Sequence, residues 1–194
     1  MPSSAQRVIA DLARVLGALG VRWYVFGAQA TIAYGHARLT ADVDVTVELG
    51  TRSTQALLDA LDAQGIVARF AFDAAFVERT RVLPLVHSPT TMDVDVVLAG
   101  PGPEETFLDQ VVHLDIGGTA VPFASPTDLV VMKVLAGRPK DLEDVIGLLR
   151  ARPASLDVAA ARAALSQLEA ALDQSDLVPA LDAAIAKAAR GHGT

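Results

Sequence analysis

Apolar residues recur at the helical period across residues 5–19 and stop at Gly20, which predicts an amphipathic helix with a glycine end. A β-rich run at 22–26 predicts a strand, followed by a helix over 28–36 and a strand over 42–48 in which valines alternate with acids. A helix over 52–64 ends near Gly65, and 66–72 reads as a short strand or extended segment. Residues 81–87 and 92–98 are apolar runs separated by Ser88-Pro89-Thr90, a turn signal, and predict a hairpin. A helix over 103–112 precedes extended pieces at 113–116 and 119–123, interrupted by Gly117-Gly118. Ser125-Pro126 is a helix start, and helices over 126–136 and 139–150 are broken by Gly137-Arg138-Pro139. Beyond Pro153 the chain turns to Ala, Leu and acids, with helix-period positions at Leu165, Leu168, Ala171 and Leu172 and a second helix over 178–190. The expected class is α/β (α+β): a mixed β-sheet flanked by helices over 1–152, with a helical extension over 153–194 packed on it.

Three features add chemistry to this pattern. Asp42 and Asp44 are alternate residues of one strand and share a face, where their charges repel unless a cation intervenes. Magnesium is held by one or two such carboxylates together with substrate phosphates. Gly27 ends the preceding strand, so the following helix start offers N–H groups to phosphate. A later strand carries Asp93 and Asp95, again on one face. Taken alone, one Asp-x-Asp pair is more often a solvated sheet face than a metal site, and it is also shared with metal-binding glycosyltransferases. Those usually need a larger sheet and fit the glycine turn poorly.

The glycine turn, the Asp-x-Asp strand and the third acidic strand together resemble the nucleotidyltransferase superfamily of polymerase-β-like fold. The runs Gly35-His-Ala-Arg-Leu-Thr-Ala-Asp-Val-Asp44 and Ser125 to Val145 resemble its branch of AbiEii-type toxins and their bacterial relatives, over about Val21 to Leu149. The resemblance implies Asp42, Asp44 and Asp95 as metal ligands and catalytic residues, with Mg2+ or Mn2+ as cofactor and an NTP as substrate. Asp95 also becomes the candidate general base, while Asp93 is a supporting acid or simply the exposed end of the strand. It further implies that Gly27, Ala28 and Gln29 hold phosphates, that Arg38 and Thr40 support the acids, and that Lys133 meets the triphosphate or a carboxylate of the site. Ala28 departs from the Gly or Ser common at that turn. Gln29 reads equally as an exposed polar residue, Arg38 as a surface arginine neutralising the acids, and Lys133 as a lysine snorkelling from a helix edge. Asp141 and Asp144, three apart on one helix face, are expected to hold Lys133 or Arg138 in position.

Composition narrows the class. The 194 residues are enough for a real core, and 52% are hydrophobic, with no apolar run long enough to span a bilayer. The N-terminus is unlike a signal sequence, so cytoplasmic location is expected. The absence of Cys excludes thiolate catalysis and Cys-based zinc sites, and His36, His87, His113 and His192 have no ligand spacing. A net charge of −7 speaks against a broad nucleic-acid surface. Arg138, Lys140, Arg150 and Arg152 form a modest basic group, to which Arg22, Arg38, Arg79 and Arg81 add only if the fold gathers them. The expected reaction is NMP transfer from an NTP to a hydroxyl of RNA (tRNA above all), protein or a small molecule, with an antitoxin as partner if the chain is a toxin. The alternative is a non-catalytic nucleotide-binding or interaction domain of the same fold.

Overall fold

The computed structural model describes residues 2–100, 102–151 and 153–190; Arg152 and His192 lie outside them. In chain order the elements are α1 (Ser4–Leu19), β1 (Arg22–Phe26), α2 (Gly27–Ala33), β2 (Asp42–Glu48), α3 (Thr54–Asp62), β3 (Ile66–Ala68), α4 (Ala74–Thr80), β4 (Val82–His87), β5 (Met92–Leu98), α5 (Pro103–Asp109), β6 (Val112–Ile116), β7 (Thr119–Phe123), α6 (Pro126–Ala136), α7 (Pro139–Ala151), α8 (Val158–Leu172) and α9 (Leu177–Arg190). They form two compact units, 1–29 with 39–124 and 30–38 with 125–194. α6 and α7 pack with α8 and α9, so the helical unit begins at Ser125, whereas the sequence pattern drew its division at residue 152.

The first unit is built on one seven-stranded mixed sheet in the order β3-β4-β5-β2-β1-β7-β6. β1 and β2 run antiparallel, while β2 and β5 are parallel, with Asp42 opposite Asp93 and Asp44 opposite Asp95. Period-2 alternation sets the faces: Val43, Val45, Val47, Val94, Val96 and Leu98 are buried, whereas Asp42, Asp44, Asp93 and Asp95 are half-buried on the other side. α1 packs on β2, β5 and α3 through Val8, Ile9, Leu12, Val15 and Leu16. A Ser3–Gln6 capping box starts α1, and Gly20 at φ 61 ends it. Burying each of those aliphatic side chains contributes roughly 1.5–3 kcal/mol.

In the second unit α6 is apolar along most of its length, with Leu129, Val130, Val131 and Val134 buried and Leu135 exposed near its end. Gly137 at φ 64 caps it and lets the chain turn directly into α7. α8 and α9 contact each other and α6, and α9 also packs on α7. Of the apolar positions expected to face the core in α8, Leu165 is buried and Leu168 half-buried, but Ala171 and Leu172 are exposed, since Asp173 already ends the helix.

Several boundaries differ from the sequence pattern. The helix expected over 28–36 ends at Ala33, and the one over 103–112 ends at Asp109. The extended segment 66–72 is a strand only over Ile66–Ala68, and the chain then enters α4, capped by the Asp73 side chain on the Phe76 N–H. The pieces around Gly117-Gly118 pair as a hairpin, β6–β7, with both glycines at positive φ as a two-residue turn requires. Among the described residues no helix is long and apolar enough to cross a membrane.

Candidate active site

Gly27 closes β1 at φ 64 and opens α2. It is required twice over. The conformation is left-handed, and a Cβ there would lie 2.0 Å from Oδ2 of Asp44. The Asp44 carboxylate thus occupies the space that any side chain at 27 would take. Ala28 needs no unusual backbone, because the positive φ falls on Gly27 alone, and its methyl is buried. Gln29 is buried rather than exposed, and its amide donates to the main-chain carbonyl of Asp42 at 3.1 Å. Thr40 donates its hydroxyl to Oδ1 of Asp42. Asp42 is therefore held from both its main chain and its side chain.

Adjacent strands stand about 4.8 Å apart, so the register of β2 and β5 sets four carboxylates in a two-by-two array on one face. Asp93 and Asp95 share a single cation. Arg69, just past β3, donates from Nη1 to Asp93 Oδ2 and from Nη2 to Asp95 Oδ1, each at 2.5 Å. Burial pulls the Arg69 pKa down, but the hydrogen bond to Asp93 and the charges of Asp95 and Asp93 outweigh it, so the net shift is upward. Among the described residues no three His, Asp or Glu side chains close into a ready-made metal cluster. The donor set is nonetheless all carboxylate oxygen, which suits a hard divalent cation, and the space left at Gly27 lets Asp44 lie flat against the turn. A cavity of about 920 Å3 opens at the opposite ends of these strands, between Glu48 and Leu98, and includes none of the four aspartates.

A second polar cluster lies within the helical unit. Lys133 is only 5% exposed and donates to Asp144 at 2.7 Å, with Asp141 at 3.7 Å. Arg38 also reaches Asp144, at 2.5 Å, and His36 stands 3.8 Å from the same carboxylate. Arg138 pairs with Asp141. Gly147 makes room for His36, since a Cβ there would sit 2.2 Å from the ring. The Asp141 and Asp144 expectation thus holds, whereas the snorkelling reading of Lys133 does not: a charge so deep in an apolar helix needs fixed partners. Arg38, expected to support or neutralise the strand acids, pairs with Asp144.

The sequence from residue 6 to 176 matches the model of a family described as "Nucleotidyltransferase of unknown function (DUF6036)". The chain belongs to this family. Its fold is that of nucleotidyltransferases of known structure. An antigenic nucleotidyltransferase-like protein from Paracoccidioides brasiliensis superposes with a TM-score of 0.58 at 21% identity, over 93% of this chain and 94% of that one. The antibiotic-resistance factor ANT(2'')-Ia gives a TM-score of 0.63 at 16% identity, over 89% and 97% of the two chains. The lincosamide antibiotic adenylyltransferase LnuA, in its lincomycin-bound crystal structure, gives 0.53 at 10% identity, over 76% and 96%. No curated protein matches the sequence.

For this DUF6036 member the fold brings together Gly27, Ala28, Gln29, Thr40, Asp42, Asp44 and Asp95, and adds Arg69 and Asp93. Lys133 and Arg38 belong to the helical cluster. Several of the arginines considered for a basic group have local partners. Arg22 pairs with Glu48 and Asp109, Arg79 sits over the Phe76 ring, and Arg81 and Arg150 donate to main-chain carbonyls. Sequence reasoning missed Arg69 and His36. Nothing local marks Arg69, whose role arises from a contact to residues 24 and 26 positions away.

Proposed function

We propose that the chain is a metal-dependent nucleotidyltransferase that moves a nucleoside monophosphate from a nucleoside triphosphate to a hydroxyl. The observation that supports this most is the in-register array of Asp42 and Asp44 with Asp93 and Asp95, with Asp44 packed on the Gly27 turn. Asp42, Asp44 and Asp95 would hold Mg2+ or Mn2+, which when bound neutralises the triphosphate and makes the acceptor hydroxyl a better nucleophile. Gln29 and Thr40 fix Asp42, and Gly27 and Ala28 supply the turn for the phosphates. Asp95 would also take the proton of the acceptor hydroxyl. The acceptor oxygen then bonds to the α-phosphorus as the bond to the leaving pyrophosphate breaks. Lys133 we assign to holding Asp144, and with it Arg38, in place of the triphosphate role that the resemblance implied.

The net charge of −7 and the locally paired arginines favour a small hydroxyl-bearing acceptor over a long polyanion. Two neighbours in fold, an antibiotic-resistance factor and an antibiotic adenylyltransferase bound to lincomycin, support the same choice. A toxin of AbiEii type, acting on tRNA and checked by an antitoxin, is the RNA-acceptor form of the proposal. The second reading, a nucleotide-binding domain without turnover, is favoured by one observation: Arg69 already neutralises Asp93 and Asp95.

The test is transfer of label from each α-labelled NTP with Mg2+ or Mn2+, offered hydroxyl-bearing antibiotics, total cellular RNA and cell extract in turn. Metal-dependent pyrophosphate release by the wild type and none by Asp44→Ala supports the enzyme, and the labelled product names the acceptor. Equal release by Asp44→Ala overturns it. A thermal shift with NTP but no release in any mixture moves the assignment to the binding domain.

A further inference from the structure

Arg69 stands in one row with the carboxylates it meets. Its N–H donates to the carbonyl of Pro84 at 2.9 Å, continuing the β3–β4 ladder by one residue. Pro84 is opposite Asp95, and Asp95 is opposite Asp44. Partners across a ladder share a sheet face, so Arg69, Pro84, Asp95 and Asp44 lie side by side. Pro84 has a short side chain, and over it the guanidinium reaches two strands away to β5. There it bridges Asp93 and Asp95 with one N–H group each, at 2.5 Å. The Arg69 side chain is 30% exposed, and those of Asp93 and Asp95 are 43% and 33% exposed, so the bridge is open to solvent and to small ions.

We infer that Arg69 is a resident counter-ion which competes with the divalent cation for Asp95, so that metal enters the array only as the guanidinium leaves. This rests on the reading of Asp42, Asp44 and Asp95 as metal ligands. One guanidinium bridging two carboxylates offers each a charge-assisted hydrogen bond, and a metal at Asp95 must replace one of them. It also repels a second cation a few ångströms away. Asp93 is then the anchor of the device. It gives Arg69 a place beside the site, which explains why an acid stands on β5 in addition to Asp95.

The test is direct binding of Mn2+ alone, by calorimetry and by the loss of the free-ion EPR signal, to the full chain and its variants. Arg69→Gln is expected to bind Mn2+ on the order of two- to fivefold tighter than wild type, a gain in the range of one partly exposed ion pair. The gain is expected to vanish when Asp95→Asn is added. Arg69→Lys, with a point charge that cannot bridge both acids, is expected to fall between the two, and it serves where the glutamine variant does not fold. Equal or weaker binding by both Arg69 variants overturns the counter-ion role while leaving the metal reading standing. No Mn2+ binding by any variant, with or without a non-hydrolysable ATP analogue, removes the metal reading itself and the inference with it.

Discussion

At the scale of single residues the site is specified by what cannot be substituted. Gly27 shows this most sharply, because two independent constraints meet there: φ of 64 and a carboxylate oxygen 2.0 Å from where Cβ would be. Gly27→Ala must shift Asp44 or the turn, and the strained φ adds about 1 kcal/mol or more. We expect transfer activity to fall by about a hundredfold or more, since reacting groups displaced by an ångström lose that much. Unfolding in urea should show a loss of about 1–3 kcal/mol. Ala30→Gly is the control. Ala30 is helical and buried in the same short helix, so its replacement should lower stability by about 1 kcal/mol or more through helix propensity and leave turnover largely intact. If the two variants lose activity equally, the packing of Gly27 on Asp44 is not what the site depends on.

Between elements the decisive contacts are those that hold one charged group with several. Asp144 on α7 receives Lys133 from α6 and Arg38 from the chain after α2, whereas Lys133 has both Asp144 and Asp141. The two truncations are therefore unequal. Lys133→Met leaves Asp144 paired with Arg38 and Asp141 paired with Arg138; Asp144→Asn leaves two cations facing a neutral amide. Breaking a buried pair from one side costs about 3–5 kcal/mol, and we expect Asp144→Asn to approach that figure and Lys133→Met to stay well below it. Urea unfolding of both variants checks the order, and the reverse order would mean that Arg38 and Arg138 do not compensate Asp144 and Asp141 once the Lys133 charge is gone. The same elements show what a linear sequence can carry. The strand acids were readable because period-2 alternation puts Asp42 with Asp44, and Asp93 with Asp95, on the face opposite the valines. Lys133 was readable because a charge inside an apolar helix demands a partner. α4 was not, since none of its residues is buried and it holds on by ring contacts among Phe70, Phe72 and Phe76. Gln29, Arg38 and Arg69 were not either, because their partners lie 13, 106 and 24–26 residues away and no local period encodes them.

For the molecule as a whole, the acid side of its stability curve is set by carboxylates that respond in opposite directions. Asp128 sits in α6 at 5% exposure, and burial raises its pKa above 3.8 despite the hydroxyl hydrogen bond from Ser125, which works the other way. Glu48 is lowered below 4.5, chiefly by its hydrogen bond from Arg22 and against a smaller push from burial. A raised acid holds its proton longer in the folded chain than in the unfolded one, so stability falls as pH rises from 3.8 through the folded pKa of Asp128. A lowered acid does the reverse, and the contribution of Glu48, complete above 4.5, is lost as pH falls through its folded value. Asp128→Asn keeps an oxygen for Ser125 and removes the titration. Its stability relative to wild type should therefore climb as pH rises from about 3.8 and then level off once Asp128 is ionised in the folded chain. Glu48→Gln should gain relative to wild type as pH drops below about 4.5. Urea unfolding at half-unit steps from pH 3.5 to 7 separates the two trends. A flat difference curve for Asp128→Asn would show that Asp128 is solvated as well in the folded chain as in the unfolded one, and a curve that falls with pH would show that the Ser125 hydrogen bond outweighs burial.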